Sequence, residues 1–242
     1  MKKTVVVFSG AGLSAESGIP TFRASDGLWE NHRVEDVASP QGWRRNPDLV
    51  LAFYNERYKK ISEVKPNPAH FAIAQLQEKY HLVNITQNID NLLERAGCKE
   101  VWHLHGSVQT IKCEHHIDIA TAVSDYYYCD YKAEWKGEIT KQDKCAKCGG
   151  QMRPDIVWFG EAVDMRYEYL QELIATAFIF IGVGTSAQVY PAAGLLPAFQ
   201  DTKHKYFIDP NPAYSMLRGY EVFADTASNA MPKLVENILS MA

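Results

Sequence analysis

Residues 5–23 read VVVFSGAGLSAESGIPTFR, and this stretch decides the fold. Its β-branched apolar start, residues 5–8, predicts a strand that is buried on both faces. Gly10, Gly12 and Ala15 then fit the G-x-G-x-x-G/A pattern of a strand-to-helix turn that binds a dinucleotide. The glycines allow a tight turn and a close approach to a pyrophosphate, and Ala15 allows helix and strand to pack closely. The pattern is short, so an ordinary strand-to-helix turn is the alternative.

The usual acidic residue of this fingerprint is missing. A simple Rossmann unit carries it about 20 positions after the last glycine, at the end of the second strand. Here that region reads SGIPTFRASDGLWENHR and predicts no strand. We therefore expect an altered nucleotide site, with a long segment inserted after the glycine loop.

Composition excludes several classes of protein. The 242 residues are 46% hydrophobic and 22% charged, which suits one large or two small globular domains without disulfides. The net charge of −4 argues against a general nucleic-acid binder. The apolar run near the N-terminus is too short for a signal peptide, and no stretch has transmembrane length. We expect a cytoplasmic protein whose five cysteines are reduced or bind metal.

Polar residues follow the other predicted strands. Residues 81–86 predict a second buried strand, and Gln87, Asn88 and Asp90 come directly after it. Ligands bind at the carboxyl ends of parallel strands, so these side chains are candidates for a site. Asn88 and Asp90 could also cap the helix that follows, and both interpretations can hold at once.

Two later strands end in the same way. Residues 178–182 predict a buried strand followed by a loop of small residues, and residues 205–208 predict a last strand. The residues that follow these two strands are Gly184, Thr185, Ser186, Asp209 and Asn211. Asp209 is the candidate for the missing acidic ribose partner.

Residues 101–106 read VWHLHG and contain two histidines. If this stretch is a strand, His103 and His105 lie on the same face. A histidine in an apolar strand is more often structural than catalytic. Gly106 allows a close backbone approach and predicts that the strand ends at a cleft, so His105 is the better candidate for a base.

Helical spacing over residues 47–61 places Tyr54 and Arg57 three positions apart. Both side chains could therefore point into one cavity, although a solvated charged helix end is the alternative. Further helices are predicted over residues 68–80 and 167–177 and from about residue 231, and residues 155–160 predict a strand that returns to the main sheet.

Four of the five cysteines lie within residues 113–153. Residues 145–150 read CAKCGG, a turn-forming knuckle that together with Cys113 predicts a zinc ribbon. The first ligand pair lacks its second cysteine. His116 has the matching spacing, and Cys129 is the rival ligand.

Several separated stretches resemble one family, the sirtuins. GAGLSAESGIPTFR, TQNID, HLHG, the cysteine knuckle, RPDIVWFGE and GVGTSAQVYPAA occur in sirtuin order and spacing and span nearly the whole chain. The resemblance implies an α/β fold, a Rossmann-like parallel sheet with helices on both faces, plus a small zinc-ribbon and helical module. We expect residues 1–23, 66–110 and 154–242 to form the NAD-binding domain. Residues 24–65 would be a helical insertion and residues 111–153 a zinc-ribbon insertion.

The resemblance also implies an activity, NAD-dependent deacylation of protein lysines with release of nicotinamide and O-acyl-ADP-ribose. His105 would be the general base that deprotonates a ribose hydroxyl, and Asn88 and Asp90 would orient the ribose, the nicotinamide and a water. The other implied NAD contacts are Gly10, Ala11, Gly12, Glu16, Thr21, Phe22, Arg23, Gln87, Gly184, Thr185, Ser186, Asp209, Asn211 and Ala227. One structural zinc ion would be bound by Cys113, His116, Cys145 and Cys148.

Two details resemble the bacterial class III branch, which removes acidic acyl groups. Thr21 stands where most sirtuins have Asp, and Tyr54-x-x-Arg57 matches the pair that binds an acyl carboxylate. The implied substrates are acetyl-lysine and especially succinyl- and malonyl-lysine. The peptide backbone would pair with Val157, Trp158, Phe159 and Gly160 as an added strand.

The chain also departs from the family pattern. Residues 209–211 read Asp-Pro-Asn where sirtuins usually have Asn-x-Glu, and position 116 lacks the expected cysteine. Alternative functions are protein mono-ADP-ribosyl transfer, a dehydrogenase with structural zinc and a non-catalytic NAD sensor. We expect acyl-lysine proteins or peptides as partners, no membrane or nucleic acid, and a monomer.

Overall fold

The structure is a computed structural model that describes residues 2–21, 28–115 and 129–241. The strands are β1 Thr4–Ser9, β2 Leu28–Trp29, β3 His32–Arg33, β4 His81–Thr86, β5 Val101–His103, β6 Gly106–Cys113, β7 Lys132–Glu134, β8 Met152–Ile156, β9 Ala177–Val183, β10 His204–Ile208 and β11 Glu221–Phe223. The helices are α1 Gly12–Ala15, α2 Val34–Val37, α3 Pro40–Arg45, α4 Pro47–Glu63, α5 Pro68–Gln75, α6 Leu92–Arg95, α7 Tyr167–Thr176, α8 Leu195–Ala198 and α9 Ala227–Ser240.

Six strands form the main sheet, in the order β11-β10-β9-β1-β4-β5, and every neighbouring pair is parallel. From β1 the chain adds β4 and then β5 on one side of the sheet. It then returns to place β9 on the other side of β1 and adds β10 and β11 beyond it. The switch point therefore lies between β1 and β9, where open α/β sheets bind ligands. The predicted fold class is confirmed.

Apolar side chains cover both faces of this sheet. Residues 5–8 of β1 have no exposed surface, as their unbroken apolar run predicts. On one face, α5 and α9 bury Ile73 and Leu234 against the sheet. On the other face, α7 and α8 bury Leu173 and Leu196.

A second sheet of three antiparallel strands has the order β7-β6-β8. The expectation that residues 155–160 form a strand of the main sheet is wrong, because β8 ends at Ile156 and belongs to this small sheet. Residues 101–106 are likewise not one strand. β5 ends at His103 and β6 begins at Gly106, so His105 lies in the connection between the two sheets.

Gly106 makes this change of sheet possible. Its φ is +78°, and a Cβ on it would lie 2.0 Å from the Asp155 carbonyl oxygen. Only glycine fits this conformation and this approach. The domain boundaries remain a prediction, and the small sheet takes in residues 106–113 and 152–156.

Other predicted elements differ only at their ends. The C-terminal helix α9 begins at Ala227 rather than near residue 231, and α5 stops at Gln75 before a short 3₁₀ turn. Within the described ranges, no helix is both long enough and apolar enough to span a bilayer.

Candidate active site

The loops that follow β1 and β9 meet at the carboxyl edge of the main sheet. The Gly12 amide donates to the Gly184 carbonyl at 2.8 Å, and the Gly10 amide donates to the Val183 carbonyl at 3.0 Å. The Gly184 amide in turn donates to the Ile208 carbonyl at the end of β10, at 2.8 Å. Three strand ends are thus joined by backbone hydrogen bonds alone.

The glycines are needed where these loops touch. A Cβ on Gly12 would lie 2.7 Å from the Gly184 Cα. A Cβ on Gly184, whose φ is +59°, would lie 2.3 Å from the Leu13 amide nitrogen. Ala15 is exposed, so it is not the packing residue that the fingerprint suggests. Helix α1 has only four residues, so its dipole adds little and the loop backbone makes up this edge.

Asn88 and Asp90 follow β4 and share Ser14 as a partner. The Asn88 Nδ2 donates to the Gly10 carbonyl at 3.1 Å and to the Ser14 Oγ at 3.2 Å. The Ser14 hydroxyl donates to Asp90 Oδ2 at 2.9 Å, and Asp90 Oδ1 caps α6 through the Leu92 amide at 3.1 Å. Burial raises the pKa of Asp90, although both hydrogen bonds oppose this. The side-chain amide of Asn88 uses both hydrogens here, which leaves its Oδ1 as an acceptor.

His70 contacts this group through Ser14, and it was not predicted from the sequence as a site residue. Its Nδ1 accepts from the Asn67 amide at 3.2 Å, so its Nε2 carries the hydrogen and faces the Ser14 Oγ at 3.5 Å. The ring is fully buried, and burial lowers the pKa of His70 to about 4. The signal in the sequence was the capping box formed by Asn67 and His70 at the start of α5.

His105 lies beside the same edge with a defined tautomer. Its Nδ1 is 3.0 Å from the Gln87 carbonyl oxygen, which only accepts hydrogen bonds. Nδ1 therefore carries the hydrogen, and Nε2 keeps its lone pair. Burial lowers the pKa of His105, against the opposing effect of the Gln87 carbonyl. The ring is thus neutral at pH 7 and can act as a base.

His103 has the opposite character. Its Nδ1 is 2.7 Å from the Asn88 carbonyl oxygen and its Nε2 is 2.7 Å from Glu94 Oε1. Both partners accept, so both ring nitrogens carry hydrogen. Burial alone would lower the pKa of His103, but the hydrogen bond and charge of Glu94 raise it. His103 therefore positions the segment that carries Asn88 and has no free lone pair.

The remaining predicted NAD contacts are spread along this edge. Gln87 Nε2 donates to Thr185 Oγ1 at 2.8 Å, which links the ends of β4 and β9. The Asn211 amide donates to Asp209 Oδ1 at 2.8 Å, in the turn after β10. Ala11 is half-buried, and Ser186 is exposed.

Glu16 is bound to the protein itself. Its two carboxylate oxygens accept from the Thr226 hydroxyl at 3.0 Å and the Ser228 amide at 2.9 Å. Glu16 therefore caps α9, which begins at Ala227, and ties the glycine loop to that helix. Thr21 is exposed, while Phe22 and Arg23 lie outside the described residues.

Tyr54 and Arg57 lie in the interior on helix α4, so the solvated helix end is ruled out. Tyr54 has no exposed surface, and its hydroxyl accepts from Trp158 Nε1 at 3.2 Å. Burial raises the pKa of Tyr54. The Arg57 guanidinium forms an ion pair with Glu30 and lies 3.4 Å from the centre of the Phe53 ring. Burial lowers the pKa of Arg57, against the pull of Glu30.

The stretch from Val157 to Gly160 crosses from His105 to the helical segment. The Val157 amide donates to the His105 carbonyl at 2.9 Å, and the Phe159 amide donates to the Ala38 carbonyl at 3.0 Å. The Trp158 amide donates to Glu161 Oε2 at 2.9 Å. These three amides are occupied, so a peptide strand would have to bond through other backbone groups here.

Arg153 and Glu161 hold this stretch in place. The Arg153 guanidinium is buried, forms an ion pair with Glu161 and lies 3.7 Å from the centre of a Trp158 ring. Burial lowers the pKa of Arg153, and the charge of Glu161 opposes this. The pair thus positions Trp158, whose indole reaches Tyr54.

Four cysteine sulfurs converge beside the small sheet. The sulfurs of Cys113, Cys129, Cys145 and Cys148 all lie within 4.8 Å of one another. The Cys113–Cys148 and Cys129–Cys145 sulfur distances are 3.4 and 3.5 Å. Tetrahedral zinc with Zn–S bonds of about 2.3 Å needs sulfurs about 3.8 Å apart, so the cluster fits one structural zinc ion. The predicted ligand His116 lies outside the described residues, and among the residues that the structure describes Cys129 is the fourth member of the cluster.

The fold and this edge together define a Rossmann-type α/β protein with a dinucleotide site and a separate four-cysteine metal centre. Comparison with known proteins narrows the class. The model of the Sir2 family matches residues 10–191. The chain is 42% identical to an NAD-dependent protein deacylase of Helicobacter pylori over 241 residues, which is 99% of each chain. It is 41% identical to an NAD-dependent protein deacylase of Escherichia coli (strain K12) over 245 residues, covering 98% of this chain and 83% of the relative.

Solved structures agree with these matches. A Sir2 homologue in complex with NAD superposes with a TM-score of 0.82 at 36% identity, covering 98% of this chain and 90% of that chain. A Sir2 protein bound to acetylated peptide gives a TM-score of 0.78 at 26% identity, covering 99% and 95%. The chain belongs to the Sir2 family, the sirtuins.

Proposed function

We propose that this chain is an NAD-dependent protein-lysine deacylase. The observation that carries the proposal is the neutral His105, whose Nδ1 is fixed by the Gln87 carbonyl, beside the glycine loops at the switch point. Relatives that are 41–42% identical over nearly the whole chain carry the name NAD-dependent protein deacylase. The overall reaction converts acyl-lysine, NAD and water into lysine, nicotinamide and O-acyl-ADP-ribose.

The backbone that joins the two glycine loops fits a dinucleotide. Gly10, Gly12 and Gly184 present main chain with no side chain in the way, which a pyrophosphate can approach. When bound, NAD supplies the ribose carbon that nicotinamide leaves and that the acyl oxygen joins. The Oδ1 of Asn88 is an acceptor for a ribose hydroxyl or the nicotinamide amide, because both of its amide hydrogens are used.

His105 is the group that moves a proton. Its Nε2 takes the proton of a ribose hydroxyl, so that this oxygen can attack the acyl carbon. The Gln87 carbonyl keeps the hydrogen on Nδ1 and so directs the lone pair of Nε2 outward. Burial lowers the pKa of His105, which keeps the base unprotonated at neutral pH.

We further propose that the acyl site prefers acidic groups. Tyr54 and Arg57 are the pair expected to bind a succinyl or malonyl carboxylate, Arg57 through its fork of donors and Tyr54 through its hydroxyl. The Tyr54 hydroxyl accepts from Trp158, so its own hydrogen can be donated to a ligand. Val157, Trp158, Phe159 and Gly160 would hold the peptide on the way to His105.

The test is a panel of one peptide carrying acetyl-, succinyl- or malonyl-lysine, incubated with NAD and followed by mass spectrometry. A deacylase gives free lysine peptide, nicotinamide and O-acyl-ADP-ribose. An ADP-ribosylated protein acceptor would replace the proposal with ADP-ribosyl transfer, and absorbance of reduced nicotinamide with a dehydrogenase. Binding of NAD without turnover would leave a sensor.

The setting of the enzyme is also part of the proposal. A four-thiol cluster needs a reducing compartment, which supports the cytoplasm. The net charge of −4 supports a function without nucleic acid. We propose a monomer that acts on acyl-lysine proteins and peptides away from membranes.

A further inference from the structure

Arg57 already has a carboxylate partner inside the protein. Its Nη2 binds Glu30, and its Nη1 donates to the Phe53 carbonyl at 2.8 Å. The Arg57 side chain is 6% exposed and that of Glu30 is 19% exposed. Before any acyl group arrives, the charge of this guanidinium is therefore neutralised.

The donors of Arg57 favour one edge for a second carboxylate. A guanidinium offers two bidentate edges, Nε with Nη2 and Nη1 with Nη2. Nη1 is bound to the Phe53 carbonyl, whereas Nε is buried and has no partner among the described residues. The available edge is therefore Nε with Nη2, and Glu30 occupies Nη2. An acyl carboxylate that binds this edge shares Nη2 with Glu30 and therefore competes with it for Arg57.

Glu30 stands in a turn that does not favour glutamate. It and Asn31 form the two-residue connection between β2 and β3, with φ of +46° and +66°. Such a turn prefers Asn or Gly at both positions. The backbone conformation at position 30 therefore does not favour glutamate, whereas the contact of its side chain with Arg57 does.

Glu30 also has a second cation within reach. Lys60 Nζ, one turn further along α4, lies 3.5 Å from Glu30 Oε1, and its side chain is 41% exposed. When Glu30 leaves Arg57, its carboxylate can keep Lys60 as a partner near the solvent. Glu56 is the other acidic group near Arg57, at 3.8 Å from Nη1, and its side chain is 70% exposed.

We propose that Glu30 is a specificity-determining residue, an internal carboxylate that competes with acidic acyl groups for Arg57. This inference rests on the proposed acyl site. With acetyl-lysine, Glu30 stays on Arg57, so the buried cation is never left without a partner. With succinyl- or malonyl-lysine, the acyl carboxylate takes the Nε and Nη2 edge. One pocket thereby accepts neutral and acidic acyl groups, and Glu30 sets the ratio between them.

The test compares kcat/KM for succinyl and acetyl versions of one peptide. Glu30→Gln removes the competing charge, so the ratio of succinyl to acetyl activity should rise roughly tenfold, chiefly through a lower KM for the succinyl peptide. Glu30→Asn removes the charge in a residue that suits the turn, and it should give the same rise if Glu30→Gln folds poorly. Glu35→Gln is the matched control, since Glu35 pairs with Arg33 on the surface, and it should leave the ratio unchanged.

Arg57→Met separates this inference from the proposed function. In that background, Glu30→Gln should have no effect on the ratio, because there is no cation to compete for. If Arg57→Met lowers the ratio but neither Glu30 variant raises it, the competition is overturned and the acidic acyl site stands. If Arg57→Met leaves the ratio unchanged, the acidic acyl site fails and the inference fails with it.

Discussion

His105 and the two glycine loops contact backbone amides and carbonyls, whereas the region around Tyr54 contains two buried ion pairs, Arg57 with Glu30 and Arg153 with Glu161. The first region depends on how the main chain at the ends of the parallel strands is arranged. The second depends on which charged side chains are present. Backbone geometry suits a step that is common to all acyl groups, and side-chain charge suits a choice between them. Substitutions in the first region should therefore change all activities together, and those in the second should change their ratio.

The largest effect is expected from the metal centre, because the small sheet carries the chain to Val157. Metal analysis should find one zinc per chain. Cys145→Ser removes one of four ligands, and structural zinc binding is worth about 10–16 kcal/mol. The variant should lose zinc and turnover of every acyl peptide, while isothermal titration still detects NAD binding at the main sheet.

Cys98→Ser is the control for that experiment. Cys98 is a buried cysteine outside the cluster, and burial raises its pKa to about 12. This variant should keep both zinc and activity. Full activity in a zinc-free protein would show that the fold of the active enzyme does not require the metal.

The next effect is that of His105→Ala. Loss of a general base costs about 10²–10⁴-fold, and acetyl and succinyl peptides should lose the same factor while NAD binding persists. Because burial lowers the pKa of His105, the acid limb of kcat/KM in the wild type should lie below the ordinary value of 6.5. His81→Ala, at an exposed histidine that begins β4, should leave turnover unchanged. Turnover of His105→Ala near the wild-type rate at pH 7 would exclude it as the base.

The sequence predicts features that depend on neighbouring residues and misses those that depend on contacts between residues far apart in the chain. β4 was predicted with its observed ends, because the alternation of residues 81–86 is a local pattern that indicates a strand. The split of residues 101–106 into two strands was not predicted, because it depends on the approach of Gly106 to Asp155, 49 positions later. Glu30 was likewise not predicted as the partner of Arg57. The strands β2 and β3 that flank it have two residues each, which is too short for an alternating hydrophobic pattern.

The site residues divide in the same way. His105 was predicted as the base from its neighbour Gly106 and its family motif, and that role stays a prediction. His70 was not predicted, because a histidine in a capping box is indistinguishable from a structural one until Ser14 is placed beside it. For the fourth zinc ligand, spacing favoured His116, whereas the folded chain brings Cys129 to the other three sulfurs.

A smaller and selective effect is expected from Arg57→Met. A charge-assisted contact in a partly desolvated pocket is worth about 1.5–3 kcal/mol, which is roughly 10- to 150-fold. The acetyl group has no carboxylate and gains nothing from Arg57, so kcat/KM should fall for the succinyl peptide and much less for the acetyl peptide. Lys59→Met, at an exposed neighbour on α4, is the control and should change neither. Equal losses on both peptides would assign Arg57 to folding alone.

The smallest effect on turnover is expected from His103→Gln, which sharpens the contrast with His105. Glutamine keeps one donor for the Asn88 carbonyl or for Glu94, so kcat/KM should fall by less than about tenfold. Stability should respond more clearly, because the half-buried Glu94 loses its cation. The free energy of unfolding should therefore drop by about 1–3 kcal/mol at pH 6.

The pH dependence of that drop identifies its cause. Glu94 raises the folded-state pKa of His103, so the stabilisation is complete below the unfolded value of about 6.5 and is lost as pH rises through the folded value. Urea unfolding of the wild type and His103→Gln at pH 6 and pH 9 should therefore show a gap that narrows at pH 9. A gap of the same size at both pH values would mean that His103 stabilises the fold as a neutral ring. His105 has the opposite sign: its lowered pKa contributes to the stability that the wild type loses as pH falls below about 6.5. His105→Gln should remove that contribution, while the larger one from the buried His70, whose pKa is about 4, remains.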